Sequence, residues 1–173
     1  MEDYKEISKI KILNKSVNIS YQKHIFREEN GEEKPIVNDH DIISREQPHD
    51  DFVNAMKKLR KHVIDICELH GAVNLDDIEV SGVTFSGLDD DETAKVIITC
   101  QRRLTNNKTF TINTPLTTLF DESKYSGAED LDNKCSEIRT EAFAFLDGKV
   151  KENPQLNMFN DPNNKIEAKL VAI

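Results

Sequence analysis

The sequence predicts an α+β fold, and three observations carry that expectation. Residues 9–21 alternate apolar and polar side chains with a period of two, the mark of half-buried strands. Residues 52–66 and 131–145 repeat apolar side chains at steps of three and four, which places them on single helix faces. Between those helical stretches come further period-two runs separated by turn residues. The resulting order, ββ-α-βββ-α, implies an antiparallel sheet of about five strands. Each helix has one apolar stripe, so both are expected on one face of the sheet.

Taken in order, Ile10 and Ile12 alternate with Lys9 and Lys11, and Val17, Ile19 and Tyr21 with Ser16, Asn18 and Ser20. Asn14-Lys15 lies between them as the turn of a hairpin, because asparagine tolerates positive φ. From 27 to 51 the pattern dissolves. Nine acidic and three basic residues give this segment −6 of the chain's −9. It reads as an acidic loop or linker, with Ile36, Val37, Ile42 and Ile43 as partial anchors. Phe52, Met56, Leu59, Val63 and Ile66 then form a helical stripe, with Asp50 or Asp51 as N-cap and Gly71 as the stop. Lys57, Lys58, Arg60 and Lys61 lie on the opposite side, the most basic spot in the chain.

Ile78 and Val80 alternate up to Gly82, after which Val83 and Phe85 take the apolar role. That change of parity predicts a β-bulge. Residues 95–104 and 109–113 complete a meander, joined by the acidic turn at Asp89, Asp90 and Asp91 and by Asn106-Asn107. The final helix is expected over 128–147. Ser126 and Glu129 have capping-box spacing, Leu131, Cys135, Ile138, Ala142 and Phe145 give the stripe, and Gly148 ends it. The chain thus divides into one domain at 1–148 and a flexible C-terminal tail at 149–173.

Composition narrows the function. At 173 residues, 37% hydrophobic and 32% charged, the chain fits one core with much of its length exposed. It has no apolar run of membrane-spanning length and no signal-like N-terminal stretch, so a cytoplasmic protein is expected. Cys67, Cys100 and Cys135 read as small buried hydrophobes. The five histidines lack zinc-ligand spacing, and Asp89, Asp90, Asp91 and Glu92 read as a solvated turn rather than a metal site. Gly-x-Ser-x-Gly, a phosphate-cradling glycine loop and His-Glu-x-x-His are all missing. A non-enzyme without metal or cofactor is expected. The net charge argues against coating nucleic acid by bulk charge, yet strand alternation turns Lys9, Lys11, Lys95, Thr99, Gln101, Arg103, Thr109 and Thr111 to one face. Lys9, Lys11, Lys95, Gln101 and Arg103 are the candidate contacts to single-stranded DNA there. No aromatic falls on that face in this reading.

A docking peptide stands near the C-terminus. Gln155, Leu156, Asn157, Met158 and Phe159 lie among Asn, Asp and Pro residues that cannot form a core. The pentapeptide resembles the Gln-Leu-x-Leu-Phe motif by which bacterial replication and repair proteins bind the DNA polymerase sliding clamp. Met158 replaces the second leucine with a flexible side chain of similar volume. The resemblance implies an extended peptide in an apolar groove of the clamp, with Gln155 hydrogen-bonded at one end, Phe159 anchored at the other, and Leu156 and Met158 between. Over the last third of the chain, a helix ending in Gly148-Lys149 and followed by this peptide resembles small phage and prophage proteins found among replication and recombination genes.

The resemblance implies a non-enzymatic accessory or regulatory protein of phage or prophage DNA replication or recombination, docked on the clamp of a bacterial host. Two alternatives stand beside it. One is a single-stranded DNA-binding protein with an acidic tail. The other is an acidic anti-defence inhibitor that presents Glu28, Glu29, Glu32 and Glu33 as phosphate surrogates.

Overall fold

A computed structural model describes residues 3–13, 16–29, 32–88, 93–106 and 108–152. Seven strands form one antiparallel sheet: β1 (Tyr4–Leu13), β2 (Ser16–Glu29), β3 (Glu32–Ser44), β4 (Ile78–Ser86), β5 (Lys95–Arg103), β6 (Thr109–Asn113) and β7 (Thr117–Thr118). Their order across the sheet is β3-β2-β1-β4-β5-β6, with β7 also paired to β5. The helices are α1 (Asp50–Lys58), α2 (Arg60–Ile66) and α3 (Ala128–Leu146), and a single 3₁₀ turn (Leu75–Asp77) leads into β4. The α+β class and the antiparallel sheet agree with the sequence reading.

The core lies between one sheet face and the helices. Ile7, Ile10, Val17, Ile19, Ile78, Val83, Val96, Ile98 and Cys100 come from the sheet and are buried. Phe52, Met56, Leu59 and Val63 come from α1, α2 and their junction, and Leu131, Cys135, Ile138, Ala142 and Phe145 from α3. Phe52 meets Phe145 with ring centroids 6.1 Å apart, which ties α1 to α3. These are the stripes the helical period picked out. All three cysteines are free; Cys100 and Cys135 are buried, and Cys67 is half-buried. No helix among the described residues is long and apolar enough to cross a membrane.

The largest departure from expectation is the segment 27–51. It is no loop over most of its length, because β2 continues to Glu29 and β3 returns beside it. Their register is unbroken from Val17 opposite Ser44 to Glu29 opposite Glu32. An edge strand with both faces in water has no buried side to imprint an alternation, and Pro35, Asn38, Asp39 and Asp41 are poor strand formers.

Bulges shift the strand parity twice. At β4 the register moves between Val80 and Gly82, as the sequence predicts. At β1 it also moves between Ile7 and Lys9, leaving Ser8 as the extra residue. A Cβ on Gly82 would stand 3.1 Å from the Ile10 carbonyl oxygen, so a side chain there would press β1 and β4 a few tenths of an ångström apart.

Smaller corrections concern the helix ends. His49 rather than Asp50 or Asp51 caps α1, its side chain accepting from the Asp51 N–H. The helix breaks at Leu59 and stops at Ile66, well before Gly71. The Ser126 and Glu129 box does not form. Gly127 rather than Ser126 is the cap of α3, and a glycine has no side chain to make a cap bond; Tyr125 packs beside it. A Cβ on Gly127 would lie 2.9 Å from the Tyr125 ring. Gly148 follows α3 at φ +99, the left-handed stop expected of it.

The folded body also runs past 148. Lys149 bonds Glu141 and Asp51, Val150 bridges Pro48, and the Lys151 N–H donates to Gln47 at 2.9 Å. These carboxylates sit at the N-terminus of α1 and in α3, so the basic pair closes a strap rather than opening a tail.

Candidate nucleic-acid interface

Because the helices cover one sheet face, the other is open to a ligand. At its centre β1, β4, β5 and β6 converge on a groove of about 470 Å³. Lys9 and Lys11 line it from β1, opposite Thr84 and Gly82 of β4. Thr99, opposite Asn113, and Thr111 complete the wall from β5 and β6. The glycine leaves the floor low, so two cations and several hydroxyl and amide groups surround a shallow space. The Thr99 hydroxyl donates to the Asn113 side chain at 2.8 Å, which fixes both.

The five residues singled out by alternation do not all meet. Lys9 and Lys11 share the groove. Lys95 lies at one end of β5, beside a separate cavity of about 620 Å³ that also touches Asp65, Glu68, Lys124 and Tyr125. Gln101 and Arg103 lie at the other end, in a recess shared with Asp76, Asp77 and Glu79. Eight residues of strand separate Lys95 from Arg103, about 26 Å. The groove therefore takes Lys9 and Lys11, and Gln101 and Arg103 lie among acidic neighbours in a separate recess.

Three ring-bearing residues lie outside the alternating run read from the sequence, which spans residues 9–21. Tyr4 stacks on His24 with ring centroids 4.4 Å apart and planes 7° from parallel, and Phe26 stands 6.3 Å from Tyr4. All three fall on the open face. The bulge at Ser8 moves Tyr4 to the same side as Lys9, which a strict period of two would forbid. The signal was present in the three-residue step from Ile7 to Ile10. Tyr4 is 44% exposed, so its ring offers a stacking surface on the same face, further along β1 from the lysine pair and in a separate recess.

The face is also divided by charge. Asp39 and Asp41 of β3 lie on the same side, beyond β2, accepting hydrogen bonds from Gln22 (2.9 Å) and Ser20. The acidic segment thus forms one border of the sheet and leaves the lysine groove nearer the middle.

The basic helix patch is partly neutralised. Lys58 pairs with Glu137 of α3 and Arg60 lies 3.7 Å from Asp76. His62 does not belong to that patch at all. It is buried, its Nε2–H donating to Asp130 at 3.0 Å and its Nδ1 facing the Tyr125 hydroxyl at 2.8 Å. A carboxylate can only accept, so Nε2 carries the proton and the Tyr125 hydroxyl donates to Nδ1. Burial lowers the imidazole pKa against the pull of Asp130, and burial pushes the Tyr125 phenol up to about 12. The group is a neutral pin between α2, α3 and the loop that precedes α3.

Gln155, Leu156, Met158 and Phe159 lie outside the described residues, as do the turns at Asn14-Lys15 and at 89–92. No family model matches the chain, and neither a curated protein nor a solved structure matches it.

Proposed function

We propose that this is a non-enzymatic accessory protein of DNA replication or recombination whose open sheet face binds single-stranded nucleic acid. One observation carries the reading: Lys9 and Lys11 flank a glycine-floored groove lined by threonine and asparagine side chains. Such a surface neutralises phosphates through its lysines and donates hydroxyl hydrogen bonds to sugar or phosphate oxygens, without reading sequence. The Tyr4–His24 stack supports it by offering a ring to an unpaired base. In a fluorescence titration with a labelled oligonucleotide at low salt, Lys9→Ala/Lys11→Ala weakens binding about tenfold or more. Equal affinity of the variant and the parent chain contradicts the reading.

Docking on a bacterial sliding clamp through Gln155, Leu156, Met158 and Phe159 is the companion proposal. Its support is the motif itself, together with the strap at Lys149 and Lys151. The folded body is fastened at Lys151, four residues before Gln155. A peptide placed there reaches a partner while the domain stays attached, which raises the local concentration of the sheet face at the replication fork. In a clamp pull-down, Leu156→Ala/Phe159→Ala is expected to lose retention. Retention equal to that of the parent chain removes this proposal and leaves the nucleic-acid reading untouched.

A further inference from the structure

β3 is an edge strand whose lysine and proline, Lys34 and Pro35, lie only at its N-terminal end. Sheet edges are ordinarily kept short, bulged, or protected by lysine and proline. β3 spans 13 residues in one unbroken register, and from Ile36 to Ser44 it contains neither lysine nor proline. Among the described residues it pairs with β2 alone, so alternate N–H and C=O groups point away from the sheet. Its apolar side chains are exposed on both faces. Val37 is 47% exposed and Ile43 71%, both on the open face, while Ile36 and Ile42 are exposed on the helix side. Asp39 and Asp41 stand on the open face with neutral partners, Gln22 and Ser20. Among the described residues neither carboxylate has a cationic partner.

We propose that the free edge of β3 docks an extended segment of a partner protein that alternates basic and apolar residues and adds to the sheet as a further strand. The chemistry follows from the pairing rule that residues directly opposite share a face. Lysine or arginine belongs opposite Asp39 and Asp41, and a β-branched or aromatic side chain opposite Ile36 and Ile42. His40 lies on the helix side, stacked on Tyr21 at 4.9 Å, and offers its ring to an aromatic there. Backbone hydrogen bonds supply the affinity and the alternating side chains the selectivity.

A second copy fits less well. A two-fold antiparallel pairing centred on Asp39 or on His40 sets the Asp39 carboxylate against Asp39 or Asp41 of the other copy. Like charges directly opposite are destabilising. A basic strand meets the same carboxylates with attraction.

The test uses the full chain and three synthetic eight-residue peptides. One alternates lysine with valine, one replaces each lysine with glutamate, and one is the lysine peptide N-methylated at alternate backbone positions. Binding is read by fluorescence anisotropy and by amide hydrogen exchange over residues 36–43. The lysine–valine peptide should bind and protect amides of β3. Asp39→Asn/Asp41→Asn should weaken it about five- to tenfold, and Val37→Lys/Ile43→Lys should abolish it. The glutamate and N-methylated peptides should bind neither the parent chain nor the variants. Binding that is indifferent to N-methylation and to Asp39→Asn/Asp41→Asn overturns the proposal. So does protection, in the chain alone, of the amides of 36–43 that point away from β2. Protection that falls on dilution assigns the edge to a second copy, and protection lost on truncation after Glu152 assigns it to this chain's own C-terminal segment.

Discussion

The neutral ring of His62 joins α2 to α3 and to the loop before it, and its burial makes the protein sensitive to acid. Asp130 and Tyr125 meet its two nitrogens, and Asp65 and Lys61 act on it through space. Its folded pKa lies below the ordinary 6.5, with burial as the leading cause. Between the two values the unfolded chain takes up a proton that the folded chain refuses. The associated stability is therefore complete above pH 6.5 and is lost as the pH falls through the lower folded value. Urea unfolding at pH 7 and pH 5 is expected to show a smaller stability difference in His62→Asn than in the parent chain; an equal difference in both contradicts the assignment. Tyr125→Phe leaves Nδ1 without its donor and should cost about 1–3 kcal/mol at pH 7. This cluster has no sequence signature. Its residues come from three separate segments, and His62 sits beside Lys61, which makes it look like part of a wet face.

Among the elements, helices were more legible than strands. The stripes of α1, α2 and α3 repeat at 3.6 residues and are buried nearly to the residue, because one side faces the core and the other water. β4 and β5 were legible for the same reason. β3 was not, since an edge strand exposed on both sides leaves no periodic trace, and its aspartates resemble a linker. The bulges had opposite fates. Gly82 marks its own, while Ser8 gives no composition signal, and a strict period of two through it would turn Tyr4 to the opposite face from Lys9.

Gly82 also ties element to site. Gly82→Val places a branched side chain against the Ile10 carbonyl and into the floor of the groove. We expect a loss of about 1–3 kcal/mol in urea unfolding. We also expect weaker oligonucleotide binding under conditions where the variant is still folded. An unchanged unfolding midpoint contradicts the close approach of β1 and β4.

Across the whole molecule, charge is sorted rather than merely negative. The chain carries −9, and the segment 27–51 accounts for −6 of it. Six of that segment's nine acidic residues lie on β2 and β3 at the outer border of the sheet, and the Lys9–Lys11 groove lies inward of them. Net charge alone argues against nucleic acid, but ligands respond to the local field, and at physiological salt that field decays within about 8 Å. The peptide proposed to dock on a clamp was legible as sequence because its resemblance is carried by consecutive residues. The groove was only half legible, since it depends on which parity each strand keeps through its bulges.

The nucleic-acid reading is tested most directly by the salt dependence of oligonucleotide binding to the full chain. A groove that neutralises about two to four phosphates gives a slope of log affinity against log salt of about −1.4 to −2.8. Lys9→Ala/Lys11→Ala should flatten that slope toward zero. An absence of binding at low salt, or a slope that the double substitution leaves unchanged, contradicts the account.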